Sequence, residues 1–279
     1  MRKQQPTMNI KIGKFTYRVH LHGEGKALLC LHGFSESGQT FDKLNVPGYR
    51  VYAIDLLGHG ESSKPREAKA YQFENIIKQL DMITTIIAGN EPYAMLGYSM
   101  GGRLAQQFAL VCRPSGLESL IIESASPGIK QIGLRMARYE QDEALAKKIK
   151  EYGIQWFADY WEALPIFTTQ KSLPEEERQL IRQRRLANKS WALANTLTGT
   201  GQGVLPYAGD YLGQLTCQTL YIAGELDAKY NDLRQKVYER YNTISTVAIP
   251  KVGHNTHIED PKTFNEIVTT FLATTNGVN

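Results

Sequence analysis

Short apolar runs alternate with longer amphipathic stretches over two thirds of this 279-residue chain. That is the pattern of a doubly wound sheet, in which helices cross between parallel strands. The runs predict strands over residues 10–12 and 15–21, paired as a hairpin around Gly13-Lys14, then over 27–31, 50–54, 93–96, 117–123, 219–223 and 246–249. Between them apolar positions recur at helical spacing over 73–88, 102–111 and 231–241. A last helix is expected from Pro261, whose missing N–H costs nothing in a first turn, to about residue 273.

The alternation breaks between about residues 128 and 210, where the chain becomes helical, charged and aromatic with no obvious strand. Ser172-Leu173-Pro174-Glu175-Glu176-Glu177 opens a helix there, through a capping serine or through early acids near its positive end. Gly199-Thr200-Gly201-Gln202-Gly203 marks a loop. A helical insertion between two strands of an open sheet sits over the carboxyl ends of those strands, where such folds bind ligands. The expected organisation is a core over 1–127, a helical lid over 128–210 and the rest of the core over 211–279.

Composition narrows the class. A hydrophobic fraction of 42% and a charged fraction of 22% are those of an ordinary soluble globule. No stretch approaches the roughly 20 apolar residues needed to span a bilayer. The basic start Met1-Arg2-Lys3-Gln4-Gln5-Pro6 has no apolar segment behind it, so no signal peptide is expected. Cys30, Cys112 and Cys217 lie in apolar runs without a Cys-x-x-Cys, which reads as buried reduced thiols of a cytoplasmic protein. The net charge of +4 is too small to point to nucleic acid. Between Lys130 and Lys189, 12 Lys/Arg against 9 Asp/Glu supply +3 of it. Most of those charges read as solvated helix faces, with a few free to face an anionic ligand.

The chemistry centres on Ala94-Met95-Leu96-Gly97-Tyr98-Ser99-Met100-Gly101-Gly102-Arg103, an apolar strand that ends in Gly-x-Ser-x-Gly and opens into a helix. A serine on so sharp a turn is strained and exposed at the positive end of a helix, and the glycines let strand and helix approach. Its hydroxyl is a poor base or nucleophile until an imidazole, held in one tautomer by a carboxylate, sits beside it. Tyr221-Ile222-Ala223-Gly224-Glu225-Leu226-Asp227 puts an acid past one strand, and Val252-Gly253-His254 puts a histidine past the next. The candidate triad is Ser99, Asp227 and His254, with Glu225 as the rival acid. His257 reads as a loop support or a substrate contact. Leu31-His32-Gly33-Phe34 follows the strand at 27–31, where the loop supplies one N–H of an oxyanion hole and the residue after the serine supplies the other. That assigns Phe34 and Met100. His32 reads as a hydrogen-bonding partner of its loop. His59, in Asp55-Leu56-Leu57-Gly58-His59-Gly60-Glu61-Ser62, reads as structural, and no His/Asp/Glu cluster shows metal-ligand spacing. Four such pieces in this order predict an α/β-hydrolase fold, a mostly parallel central sheet with helices on both faces and an inserted all-helical lid. They do not name a reaction, because one fold hosts many chemistries. Serine in place of aspartate at position 99 argues against haloalkane or epoxide chemistry.

Gly97-Tyr98-Ser99-Met100-Gly101-Gly102-Arg103, Glu123-Ser124-Ala125-Ser126-Pro127-Gly128, Trp161-Glu162-Ala163-Leu164-Pro165 and Gly253-His254-Asn255-Thr256-His257 together resemble one family. It is the 2-succinyl-6-hydroxy-2,4-cyclohexadiene-1-carboxylate synthase (MenH) family of menaquinone biosynthesis, and the likeness runs over about residues 28–271, lid included. The resemblance implies a lyase that removes a ring proton and expels pyruvate from an enolpyruvyl ether, with Ser99 as base and no metal or organic cofactor. It also implies that Arg103, Arg138 and Arg185 clamp substrate carboxylates, since a guanidinium grips a carboxylate through two hydrogen bonds. Arg135 competes with Arg138 for that role, and Arg182 and Arg184 compete with Arg185. Tyr98 and Trp161 are expected to line the pocket, although Tyr160-Trp161 allows an alignment shifted by one. The alternative activity is that of a carboxylesterase or a carbon–carbon bond hydrolase with the same triad. A non-catalytic ligand sensor on this fold often loses a triad member, whereas all three are present here. The expected partner is a small polycarboxylate substrate, with no nucleic acid or membrane, for a cytoplasmic monomer or small homo-oligomer.

Overall fold

Eight strands form a single sheet in the computed structural model, which describes residues 5–275. Met1, Arg2, Lys3 and Gln4 of the basic start lie outside the described residues. The strands are β1 (Thr7–Ile12), β2 (Phe15–Gly23), β3 (Lys26–Leu31), β4 (Tyr49–Ile54), β5 (Tyr93–Tyr98), β6 (Leu117–Glu123), β7 (Gln218–Gly224) and β8 (Ile244–Ile249). Side by side they run β1-β2-β4-β3-β5-β6-β7-β8. The β1–β2 and β2–β4 pairs are antiparallel and every later pair is parallel, so the carboxyl ends of β3 and β5–β8 open on one edge. Local sequence explains the difference. On β1, Ile10 and Ile12 point inward while Lys11 points out, as a half-covered antiparallel strand requires. In β3 and β5, Leu28 to Leu31 and Ala94 to Leu96 are fully buried, as strands covered on both faces must be.

The helices are α1 (Phe73–Ala88), α2 (Met100–Cys112), α3 (Ile132–Glu162), α4 (Glu175–Leu186), α5 (Ser190–Thr200), α6 (Ala228–Lys236), α7 (Thr256–Glu259) and α8 (Pro261–Thr275). One face of the sheet is covered by α1 and α2, through Ile76, Ile77, Leu80, Ile83, Ala105 and Phe108. The other is covered by α8, whose Phe264, Val268 and Leu272 recur every fourth residue and are fully buried among Leu28, Cys30 and Ile222. Each such side chain contributes roughly 1.5–3 kcal/mol by leaving water. The free thiols Cys30 and Cys217 are buried and Cys112 is half-buried.

Three expectations change. Gly199 and Thr200, expected in a loop, close α5, and the loop starts at Gly201. The helix expected over 231–241 begins at Ala228, because Asp227 Oδ1 accepts the Tyr230 N–H at 3.5 Å, and it gives way to a 3-10 turn over Tyr238–Arg240. Ser172 does not cap α4. Its hydroxyl donates to Thr169 O at 2.7 Å, and the helix starts at Glu175 with Glu175, Glu176 and Glu177 at its positive end.

Between β6 and β7 the chain forms α3, α4 and α5 with no strand. A break at Gly153, which has φ 83°, divides α3. Ala146, Ile149 and Phe157 of α3 pack on Leu193, Ala194 and Leu197 of α5 as a separate small core, which Phe34 and Trp161 tie to the loop after β3. Among the described residues no helix is long and apolar enough to cross a membrane.

Candidate active site

Ser99 stands between β5 and α2 with φ 49° and ψ −104°, a left-handed conformation that a non-glycine residue holds only when its surroundings enforce it. The surroundings are the flanking glycines. A Cβ on Gly101 would lie 2.0 Å from Leu31 O, and one on Gly97 would lie 2.4 Å from Gly101 O, so larger residues would push helix and strand apart. The Ser99 N–H donates to Glu123 O at 2.8 Å, fastening the turn to the end of β6.

His254 sits in the loop after β8. Its Nε2 is 3.0 Å from Ser99 Oγ, which donates to it, and its Nδ1 donates to Asp227 Oδ2 at 2.6 Å. His254 and Asp227 are both buried, whereas Glu225 is exposed and accepts the Lys251 N–H at 2.9 Å. The structure therefore brings Asp227, and not Glu225, to the imidazole. Phe34 and Met100 line the same cavity as Ser99, and neither backbone N–H donates to any group among the described residues. Two free donors beside a hydrogen-bonded Ser–His pair can stabilise charge developing on an oxygen.

The cavity has a volume of about 460 Å³ and lies between the sheet edge and the α3–α5 insert. Arg103, Arg138 and Arg185 all line it, while Arg135, Arg182 and Arg184 do not. Arg182 pairs with Asp159 and Glu162, and Arg184 Nε donates to Glu36 Oε2 at 2.6 Å. Arg103 and Arg185 differ from these in kind. Both are buried and form no ion pair among the described residues, and Nε of Arg103 and both Nε and Nη1 of Arg185 meet no hydrogen-bond partner. Among the described residues the only side-chain hydrogen bond of Arg185 is a long one, 3.5 Å from Nη2 to Gln170 Oε1, and its guanidinium lies 5.1 Å from the Phe167 ring centre. Burial pulls Arg103 down to about 10, with Arg138 acting in the same direction and Tyr230 and Asp142 against it. Burial also lowers Arg185 from its ordinary value. Arg138 is half-buried and its Nε donates to Asp142 Oδ1 at 2.8 Å.

Tyr98 and Trp161 both line the cavity. The Tyr98 ring is 5.4 Å from that of His254 and 5.0 Å from that of His257, and burial pushes its phenol well above the usual value. Trp161 joins an aromatic wall with Phe34, Phe157 and Phe167, and its neighbour Tyr160, which also lines the cavity, stacks on Trp156. His257 is away from the cavity lining, held by Glu123 Oε2 at 2.7 Å and Thr40 Oγ1 at 2.9 Å, which makes it a support for the His254 loop. His32 donates from Nδ1 to Gly33 O at 2.7 Å and accepts the Leu56 N–H at 3.0 Å. His59 packs on Phe34 and His32, and burial, with His32 acting in the same direction, pulls it down to about 3. Among the described residues no group of three or more His, Cys, Asp or Glu side chains could hold a metal ion.

Sequence reasoning missed four participants. Glu36, Asp142, Phe167 and Tyr230 all line the cavity. The available signals were an acid two residues past Phe34, an aspartate four residues after Arg138 and a tyrosine three after Asp227.

Residues 26–261 match the family model for the alpha/beta hydrolase fold. A Bacillus subtilis protein is 37% identical over 249 residues, which are 88% of this chain and 90% of that one, and is provisionally named 2-succinyl-6-hydroxy-2,4-cyclohexadiene-1-carboxylate synthase. A Photorhabdus laumondii protein bearing the same name without qualification is 32% identical over 253 residues, 89% of this chain and 86% of that one. The solved structure of MenH from S. aureus superposes with a TM-score of 0.87 at 32% identity, over 92% of this chain and 98% of that one.

Proposed function

The chain belongs to the 2-succinyl-6-hydroxy-2,4-cyclohexadiene-1-carboxylate synthase family of the α/β-hydrolase fold, and on that premise we propose how its pocket performs the family's reaction. It is an enzyme of menaquinone biosynthesis that eliminates pyruvate from 2-succinyl-5-enolpyruvyl-6-hydroxy-3-cyclohexene-1-carboxylate. Ser99 Oγ passes its proton to His254 Nε2 and takes the ring proton. The electron pair of that C–H bond, at C2, becomes the 2,3 double bond, the ring's 3,4 pair shifts to 4,5, and the C5–O bond to the enolpyruvyl group breaks. The imidazolium returns its proton to the departing enolpyruvate, which tautomerises to pyruvate. Asp227 holds His254 in the tautomer that this cycle needs and stabilises the imidazolium. The free N–H groups of Phe34 and Met100 stabilise negative charge developing on a substrate oxygen. No acyl-enzyme forms.

The observation that carries this reading is the pair of buried, unpaired guanidiniums, Arg103 and Arg185, in the cavity that holds Ser99. A buried charge without a partner costs several kcal/mol, so its retention points to a ligand that supplies the anion. The substrate carries several carboxylates. Exposed Lys148 and Lys229 on the lining add to the same field. The α3–α5 insert acts as the lid over this site, and the enzyme works in the cytoplasm on a diffusing small molecule. A carboxylesterase needs the triad but not these cations. Purified protein given the enolpyruvyl substrate releases pyruvate, read by a coupled dehydrogenase. Rapid turnover of aryl esters with no pyruvate above background refutes the proposed mechanism.

A further inference from the structure

Two carboxylates line the cavity, Glu36 and Asp142. Glu36 is neutralised from outside the lining by Arg184. Asp142 is different, because its partner Arg138 is itself a lining cation. Asp142 is 3% exposed and lies one helical turn after Arg138 on α3, and its Oδ1 accepts from Arg138 Nε at 2.8 Å. The contact takes only the Nε edge. Arg138 Nη1 and Nη2 make no hydrogen bond among the described residues, and both keep accessible surface.

Charge counting alone makes Asp142 a defect, since a buried carboxylate repels a polyanion more strongly than an exposed one would. The geometry gives it another role. We propose that Asp142 is a positioning residue for the substrate: it locks Arg138 through Nε, so that the two Nη nitrogens stand as a ready fork for one substrate carboxylate, and its charge offsets the repulsion between Arg138 and Arg103. The proposal rests on the reading of this cavity as the synthase's substrate site. A half-buried arginine side chain carries rotamer entropy, which weakens binding if it is lost only when the ligand arrives. Fixing it in the free enzyme removes that cost in advance. The opposing influences of Arg138 and Asp142 on Arg103 agree with this placement of charge.

The test turns on sign. Asp142→Ala raises KM for the enolpyruvyl substrate about tenfold while kcat stays within about twofold, because binding is disordered and the triad is untouched. In an Arg138→Ala background the same change lowers KM, since only repulsion is then removed; such a reversal is the non-additivity of a coupled pair. Should the alanine variant fail to fold, the near-isosteric Asp142→Asn keeps an acceptor and raises KM by a smaller factor. Binding of benzene-1,3,5-tricarboxylate, followed by tryptophan fluorescence, ranks the same variants without catalysis. A wild type that binds this probe but releases no pyruvate refutes the functional reading and leaves the positioning claim to the binding data. Unchanged or tighter binding in an Asp142 variant that retains Arg138 overturns it.

Discussion

Arg184 donates to Glu36 at 2.6 Å in a pair almost closed to solvent, at 8% and 5% side-chain exposure. That contact separates two adjacent arginines by role. Burial pushes the Glu36 carboxyl up, but Arg184 and Arg185 beside it hold it below its ordinary range, so it stays an anion for Arg184. Arg185, one residue on, faces the cavity without a carboxylate partner.

The two positions therefore respond differently to truncation. Arg184→Ala leaves a buried anion unpaired and costs about 3–5 kcal/mol of stability, measured by urea unfolding. Arg185→Ala removes an unpaired buried cation, costs less stability and raises KM for the substrate by about 10- to 100-fold. Equal stability losses with unchanged KM in both variants would contradict this division.

Arg103 is one helical turn beyond Ser99, buried and unpaired. Arg103→Ala is expected to weaken the polyanionic substrate by about 1.5–3 kcal/mol, the value of a hydrogen bond to a charged group. Turnover of a neutral aryl ester should barely change. Comparing kcat/KM on the two substrates checks this.

The sheet was legible in the sequence because buried parallel strands such as 27–31 and 93–96 leave unbroken apolar runs, and the serine elbow because its glycines have a steric reason visible in spacing alone. Asp142 and Glu36 were not. Asp142 falls in a charged helical stretch and Glu36 in a polar loop, where a buried acid looks the same as a solvated one; only the packing of α3 on α5 and of α4 on the loop after β3 distinguishes them. Glu225 competes with Asp227 in the sequence for a related reason: which acid meets His254 depends on how the chain turns after Gly224, where Asp227 also caps α6.

That choice has a direct consequence. Asp227→Asn should lower pyruvate release on the order of 10⁴-fold, as expected when the imidazole of a triad loses its orienting carboxylate. Glu225→Gln, at an exposed site, should stay near wild type. Steady-state kcat of both variants decides the assignment.

Acid should destabilise the fold through His59. Its folded value of about 3 lies below the ordinary value of 6.5, so under pH 6.5 the unfolded chain takes up a proton that the folded one refuses. Stability then falls by about 1.4 kcal/mol per pH unit until the folded value is reached. Burial lowers His32 as well, and it contributes in the same direction. In urea unfolding between pH 7 and 4, His59→Gln should flatten the slope.

Elimination starts, on this mechanism, with Ser99 as the base. Pyruvate release by Ser99→Ala, measured with the coupled dehydrogenase on protein whose Tm matches wild type, tests it most directly. The expected rate is lower on the order of 10⁴-fold or more. A rate within tenfold of wild type would contradict it.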